Sequence, residues 1–363
     1  MSEFKLTTVE EFEEATARLL ETGAKVGADA WQLRVKKQTP HCKFGEQGVC
    51  CRICAMGPCR ITPKASRGIC GCDVHGIVGR NYLKFTAGGS ATHSDHGREI
   101  CHTLYESSAD GCYKVKDPEK LVRIAKEWDI ETEGKDIYDL AHEVALEGLM
   151  EYGKPFGTQR FLKRAPESQQ KLWEENELAP HAIDREVSRS LHMAHMGCSS
   201  KPEALVKQSI RAGLSDGWGG SMMGTEFSDV LFGTPKPIDT EANLGVMVAE
   251  NVNIVVHGHD PSLSEMICEV ADSPEMVAYA KEMGAKGINV AGVCCTSNEV
   301  AMRRGVPMAG NFLQQENVVL TGACEAIVVD VQCIFPALGP LSKCFHTKFV
   351  TTSPIAQMPD AEY

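Results

Sequence analysis

Asn253-Ile254-Val255-Val256-His257-Gly258-His259-Asp260-Pro261 is a short β-rich run that stops at glycine and proline, with two histidines at its exit. Similar runs follow at Ile288-Asn289-Val290, Ala326-Ile327-Val328-Val329 and Phe349-Val350-Thr351-Thr352. Helical patterns separate them, roughly over 263–283 and 298–304, with a short one near Leu313. Strands alternating with helices predict a parallel, doubly wound, Rossmann-like sheet. No helix follows the last run, so the sheet reads as truncated, with an open edge near Val350 that invites pairing or aggregation.

Soft ligands stand at the exits of these strands: His257 and His259 after the first, Cys294 and Cys295 after the second, Cys333 after the third. Doubly wound sheets place their sites beyond the carboxyl ends of the strands. One histidine and two or three thiolates in one crevice suit a mixed iron–nickel–sulfur site. Buried cysteine is also an ordinary small core residue. That accounts for Cys268 inside a helical stretch and Cys324 before a strand, but poorly for three successive strand ends.

Upstream the pattern is helical, as in 119–127, 136–152 and 202–212. Thr8-Val9-Glu10-Glu11 reads as a capping box, and Phe12, Ala15, Leu19 and Leu20 line one face after it. The expected organisation is a helical domain over 1–240 and an α/β domain over 241–363.

The chain has 363 residues, enough for about two domains. A net charge of −12 and the absence of any Lys/Arg-rich block exclude a nucleic-acid footprint. The charged start MSEFKLTTVEEFEEA is no signal peptide, and no long apolar stretch predicts a membrane span, so the expectation is a cytoplasmic protein. Among 16 cysteines, six fall between Cys42 and Cys70. In the reducing cytosol such density points to metal binding or redox chemistry.

Cys42, Cys50, Cys51, Cys54, Cys59 and Cys70 sit on short loops punctuated by Gly45, Gly48, Gly57 and Gly71. A [4Fe–4S] cube takes four thiolates, and Cys51, Cys54, Cys59 and Cys70 make one set. Cys42 and Cys50 are half a set, which a twofold homodimer completes with the same pair from the partner. The alternative is zinc, which prefers two close cysteine pairs. Six clustered thiols exceed one zinc, and Cys72 reads as a bystander.

His93, His96, Glu99 and His102 recur every three residues. On a helix that spacing keeps them close to one face, where they form either a proton relay or an ordinary solvated polar face.

The run CKFGEQGVCCRICAMGPCRI, starting at Cys42, resembles the cluster-binding segment of anaerobic nickel–iron–sulfur carbon monoxide dehydrogenases of the prismane and hybrid-cluster superfamily. The segments DGWGGSMMGTEF (216–227) and FGTPKPIDTEANLG (232–245) resemble that family's domain junction. The resemblance implies that Cys51, Cys54, Cys59 and Cys70 hold one [4Fe–4S] cluster per chain and that Cys42 and Cys50 hold half of a shared one. It implies His259, Cys295 and Cys333 as part of the ligand set of the nickel–iron–sulfur C-cluster, the remaining ligands coming from a third domain. It implies His93 in acid–base chemistry and His96 and His102 in a row leading to solvent, with Glu99 standing where the row carries another histidine. The implied reaction is oxidation of CO with water to CO2, two protons and two electrons, which pass to a ferredoxin-like acceptor. Two alternatives remain. One is a hybrid-cluster, hydroxylamine reductase-like protein, which the paired Cys42 and Cys50 disfavour. The other is a truncated, non-catalytic electron-transfer protein.

Overall fold

The computed structural model describes residues 9–110 and 113–363, so the capping box at Thr8 lies outside the described residues. Two compact units form, and they do not divide the chain at 240. Residues 40–234 make one unit, while residues 9–39 join 235–363 in the other. Among the described residues no helix is long and apolar enough to cross a membrane.

In the helical unit a 37-residue helix, Val74–Asp110, is the spine. The helices Ile137–Gly153, Pro202–Ser215, Ile183–Ala194 and Ser221–Phe232 pack along it. The stretches expected at 119–127, 136–152 and 202–212 fold as Pro118–Glu127, Ile137–Gly153 and Pro202–Ser215. Asp117 and Asp136 cap the first two by accepting from the backbone N–H of Lys120 and Tyr138. Ile100, Leu104, Leu121, Ile124, Val144 and Phe227 are fully buried in the shared core. Between Pro202–Ser215 and Ser221–Phe232 the chain widens into a π-helical turn, Asp216–Gly220. That turn meets the spine backbone to backbone, since a Cβ on Gly97 would lie 2.4 Å from the Gly220 carbonyl oxygen.

Also in the helical unit, Cys50–Cys51 (β1) and Cys59–Arg60 (β2) form a small antiparallel ladder. The other unit carries Val252–Gly258 (β3), Ile288–Val293 (β4), Met308–Gly310 (β5), Ala326–Val329 (β6) and Lys348–Thr351 (β7). These form an all-parallel sheet in the order β5-β4-β3-β6-β7. The short β5, an edge strand, is the one the sequence pattern did not reveal. The helical stretch expected over 263–283 breaks into Pro261–Ala271 and Pro274–Glu282, because Pro274 starts a new helix behind its Ser273 cap.

The expected open edge near Val350 is partly covered. The chain turns back after β7, so that the Glu362 N–H donates to the Phe349 carbonyl and the Thr351 N–H to the Glu362 carbonyl, both at 2.8 Å. A parallel bridge joins Val350 to Glu362.

Residues 9–39 pack against the helix Gln315–Leu320 through a buried carboxylate. Glu316, whose side chain has no solvent exposure, accepts from the Trp31 backbone N–H at 2.6 Å and pairs with Arg34. Leu19 and Leu20 pack against the same core. Sequence neighbourhood assigned this segment to the helical domain, but the partner that holds it lies 285 residues away. Glu316→Ala leaves the Trp31 N–H without its acceptor and the Arg34 guanidinium without its counter-charge, which costs about 1–3 kcal/mol. The expected outcome is a lower melting temperature and faster proteolysis between residues 14 and 39. Unchanged melting and protection would contradict this account of the docking.

Candidate metal centres and proton row

In the helical unit the β1–β2 ladder separates two adjacent thiols. Cys51 pairs with Cys59 and Cys50 with Arg60. Directly opposed residues share a face, and successive residues point to opposite faces. Cys51 and Cys59 therefore face one way and Cys50 the other. Cys51, Cys54, Cys59 and Cys70 line a single hollow, with Gly57, Gly68, Cys72, Ile77 and Arg80 among its walls, and Cys50 is not part of it. The Ile69 N–H lies 3.4 Å from the Cys59 thiol. The Cys72 N–H, and after it the Arg80 guanidinium, hold the Cys70 thiol below its ordinary value against burial, while burial pushes the Cys72 thiol up. Cys42 is exposed at the start of the short helix Lys43–Glu46. Asn81 on the spine ties down the intervening loop by donating to the carbonyls of Gly48 (3.1 Å) and Cys50 (2.9 Å).

Four thiols around one hollow, with backbone and guanidinium N–H groups aimed at sulfur, fit a cysteine-ligated cubane. Among the described residues no three His, Cys, Asp or Glu side chains close on a single-ion position.

In the α/β unit, sheet order places the exits of β4, β3 and β6 side by side, bringing Cys294 and Cys295, His259, and Cys333 to one end of the sheet. Cys294, Gln332 and Cys333 all take positive φ (67°, 69° and 59°), a costly conformation for residues with a side chain and one that marks functional turns. Burial pushes the Cys294 thiol up to about 12, with Cys333 and Cys295 adding to the rise. Burial followed by the neighbouring Cys333 raises Cys295 in the same way. Crowded soft donors that resist ionising together suit a bound cation, whose arrival releases their protons. This donor set fits part of a nickel–iron–sulfur ligand shell.

Three residues that hold these turns were not singled out from the sequence. Asp330 is buried, its carboxyl pushed up to about 8 by burial, and it accepts from the backbone N–H of His259 at 2.5 Å and of Val331. Gly258, at φ 135°, is the only residue type that fits there, since a Cβ would lie 2.0 Å from an Asp330 carboxyl oxygen. Gln315, fully buried, donates to the Cys333 carbonyl at 2.9 Å and faces His257 Nε2 at 3.1 Å through its own oxygen. Burial pushes His257 down to about 4, so it stays neutral. His257 is thus a support for the Cys333 turn.

The histidine row lies on the spine. His93 Nδ1 sits 2.8 Å from an Asp216 carboxylate oxygen on the π-helical turn. His96 and Glu99 are half-buried and His102 is exposed. Successive members are neighbours, but at 3.6 residues per turn the row winds about half-way round the helix rather than keeping to one face. It runs from a half-buried, carboxylate-paired imidazole to solvent.

Hydrogen bonding to Asp216 raises the His93 pKa above its ordinary value, against the lowering effect of burial. The stabilisation from this pair is fully present below the unfolded value, about 6.5, and is lost as pH rises through the raised folded value. Asp216→Asn should bring the His93 titration, followed by NMR, down toward 6.5 or below. An unmoved titration would contradict the pairing.

The sequence profile of the Prismane/CO dehydrogenase family matches residues 49–363. Carbon monoxide dehydrogenase 1 of Methanosarcina mazei is 48% identical over 351 residues, covering 95% of this chain and 56% of its own length. Carbon monoxide dehydrogenase of Rhodospirillum rubrum is 43% identical, covering 89% of this chain and 51% of its own length. A nickel-free crystal structure of the carbon monoxide dehydrogenase of Thermococcus sp. AM4 superposes with a TM-score of 0.93 at 48% identity, covering 95% of this chain and 56% of that one. The chain thus spans about half the length of the curated relatives it matches. With the family profile matched over residues 49–363 and relatives 43–48% identical over most of this chain, the chain belongs to the Prismane/CO dehydrogenase family.

Proposed function

We propose that this chain is the cluster-bearing part of an anaerobic, cytoplasmic carbon monoxide dehydrogenase that acts on CO and water. The observation that carries this reading is the gathering of Cys51, Cys54, Cys59 and Cys70 around one hollow. The crowded thiols at the carboxyl ends of the parallel strands support it. Cys51, Cys54, Cys59 and Cys70 would hold a [4Fe–4S] cluster, and His259, Cys295 and Cys333 would supply part of a nickel–iron–sulfur shell. When bound, these groups would supply the two-electron oxidation of CO and the onward passage of electrons to a ferredoxin-like acceptor.

The chain's own residues do the rest. Gln315 and Asp330 fix the turns that present Cys333 and His259. His93, made more basic by Asp216, takes up a proton, and His96, Glu99 and His102 offer successive acceptors toward solvent. Glu99, with a reference pKa near 4.3, is a poorer acceptor than a histidine near 6.5.

The direct test is anaerobic reconstitution with iron, sulfide and nickel, followed by metal analysis and CO-dependent dye reduction. Three strand-end ligands are a partial set, so the 363-residue chain is expected to bind iron but little nickel and not to oxidise CO. A chimaera completed with the remaining segment of the Methanosarcina mazei relative is expected to oxidise CO, and His93→Ala should slow it about 10²–10⁴-fold, the usual scale of general acid–base catalysis. An inactive chimaera with full metal content would sink the reading, as would a fully active His93→Ala form for the proton role.

Cys50 turns to the face opposite the hollow and Cys42 is exposed, which supports a second cluster shared across a twofold homodimer. Replacing Cys42 and Cys50 with Ser together should remove about one cube per dimer and weaken the dimer, since a cube takes four thiolates. Unchanged iron per dimer would refute the shared site.

A further inference from the structure

Arg80 lies on the spine two turns after the cysteine loop, and its side chain is only 3% exposed. A guanidinium stays charged in proteins, and a buried charge without a counter-charge is costly. Its Nε donates to the Ser199 carbonyl at 2.8 Å, which orients the group but does not neutralise it. No ion pair to Arg80 occurs among the described residues. Asp73 is exposed at the surface, where its carboxylate accepts from the Gly76 N–H at 2.9 Å. What Arg80 does face is the hollow walled by Cys51, Cys54, Cys59 and Cys70.

We propose that Arg80 is the buried counter-charge of the cluster held by these four cysteines, and that its charge raises the reduction potential of that cluster. The proposal rests on the reading that the four thiols hold a [4Fe–4S] cube. Four thiolates outweigh the positive charge of the iron–sulfide core, so the site is an anion, and one-electron reduction makes it more negative. A fixed cation in a water-poor wall favours the more negative state, because net charge and hydrogen bonding to sulfur set the potentials of such clusters. Arg80 touches no substrate and acts only through the cluster, as a positioning and potential-setting residue. Ser199 holds it in place from a loop far along the chain, so the charge is fixed before any metal arrives.

The test compares Arg80→Lys, which keeps the charge, with Arg80→Gln, which removes it, in the 363-residue chain reconstituted anaerobically with iron and sulfide. Iron content and the midpoint potential are read by a mediated dithionite titration followed by EPR, with the relevant signal identified by its loss in Cys51→Ser. The expected result is that Arg80→Lys stays near wild type. Arg80→Gln should shift the reduction equilibrium at least tenfold toward the oxidised cluster, a midpoint 59 mV lower for one electron, or lose iron that Arg80→Lys retains. A wild-type midpoint in Arg80→Gln would overturn the proposal, as would equal shifts or equal iron loss in both variants, which would make Arg80 only an anchor for Ser199. Absence of a cubane signal in the wild-type chain would instead sink the cluster reading on which the proposal stands.

Discussion

Thiolates repel one another, and a site that gathers them can be fully ionised only with cations among them. Both candidate centres are built on that constraint. In the helical unit four cysteines from one loop face one hollow, and in the α/β unit burial raises Cys294, Cys295 and Cys333 at the strand ends, with Cys333 adding to the rise of both Cys294 and Cys295. The protein meets the constraint differently in the two places. Backbone and guanidinium N–H groups already favour the ionised form of Cys70. At the strand ends burial opposes ionisation, so only a bound cation would drive the protons off.

The long helix Val74–Asp110 ties the helical unit's chemistry together. Near its start Arg80 faces the cysteine hollow and Asn81 pins the loop that carries Cys50. Further along, His93 meets the π-helical turn through Asp216. One element therefore positions both the loop that carries the candidate cluster cysteines and His93. Around it, close backbone packing at Gly97 and a buried ion network, in which Lys120 meets Glu226 at 3.2 Å and also Asp229, hold the neighbouring helices.

The alternation of strands and helices after residue 250 was legible because β-branched runs and proline-started helices are local signals. The cysteine spacing was legible for the same reason. What escaped the sequence depends on tertiary burial. Glu316 looks like any surface acid until Trp31 and Arg34 close over it. Gln315, Asp330 and Arg80 are polar residues whose roles arise only because they are buried beside strand ends or thiols. The histidine row was visible as a spacing, but its winding from interior to solvent follows from helix geometry and from what packs on each side. Likewise, the covering of β7 by Glu362 is a pairing between segments that no periodicity announces.

The claim on which the rest depends is that Cys51, Cys54, Cys59 and Cys70 bind a polynuclear iron cluster. Mössbauer spectroscopy of the chain reconstituted anaerobically with labelled iron and sulfide, with zinc present in competition, tests it most directly. The account predicts the spectrum of a valence-delocalised cubane that disappears when Cys51 and Cys59 are replaced together by Ser. A spectrum without cubane iron, with zinc bound to the same four thiols, would contradict it.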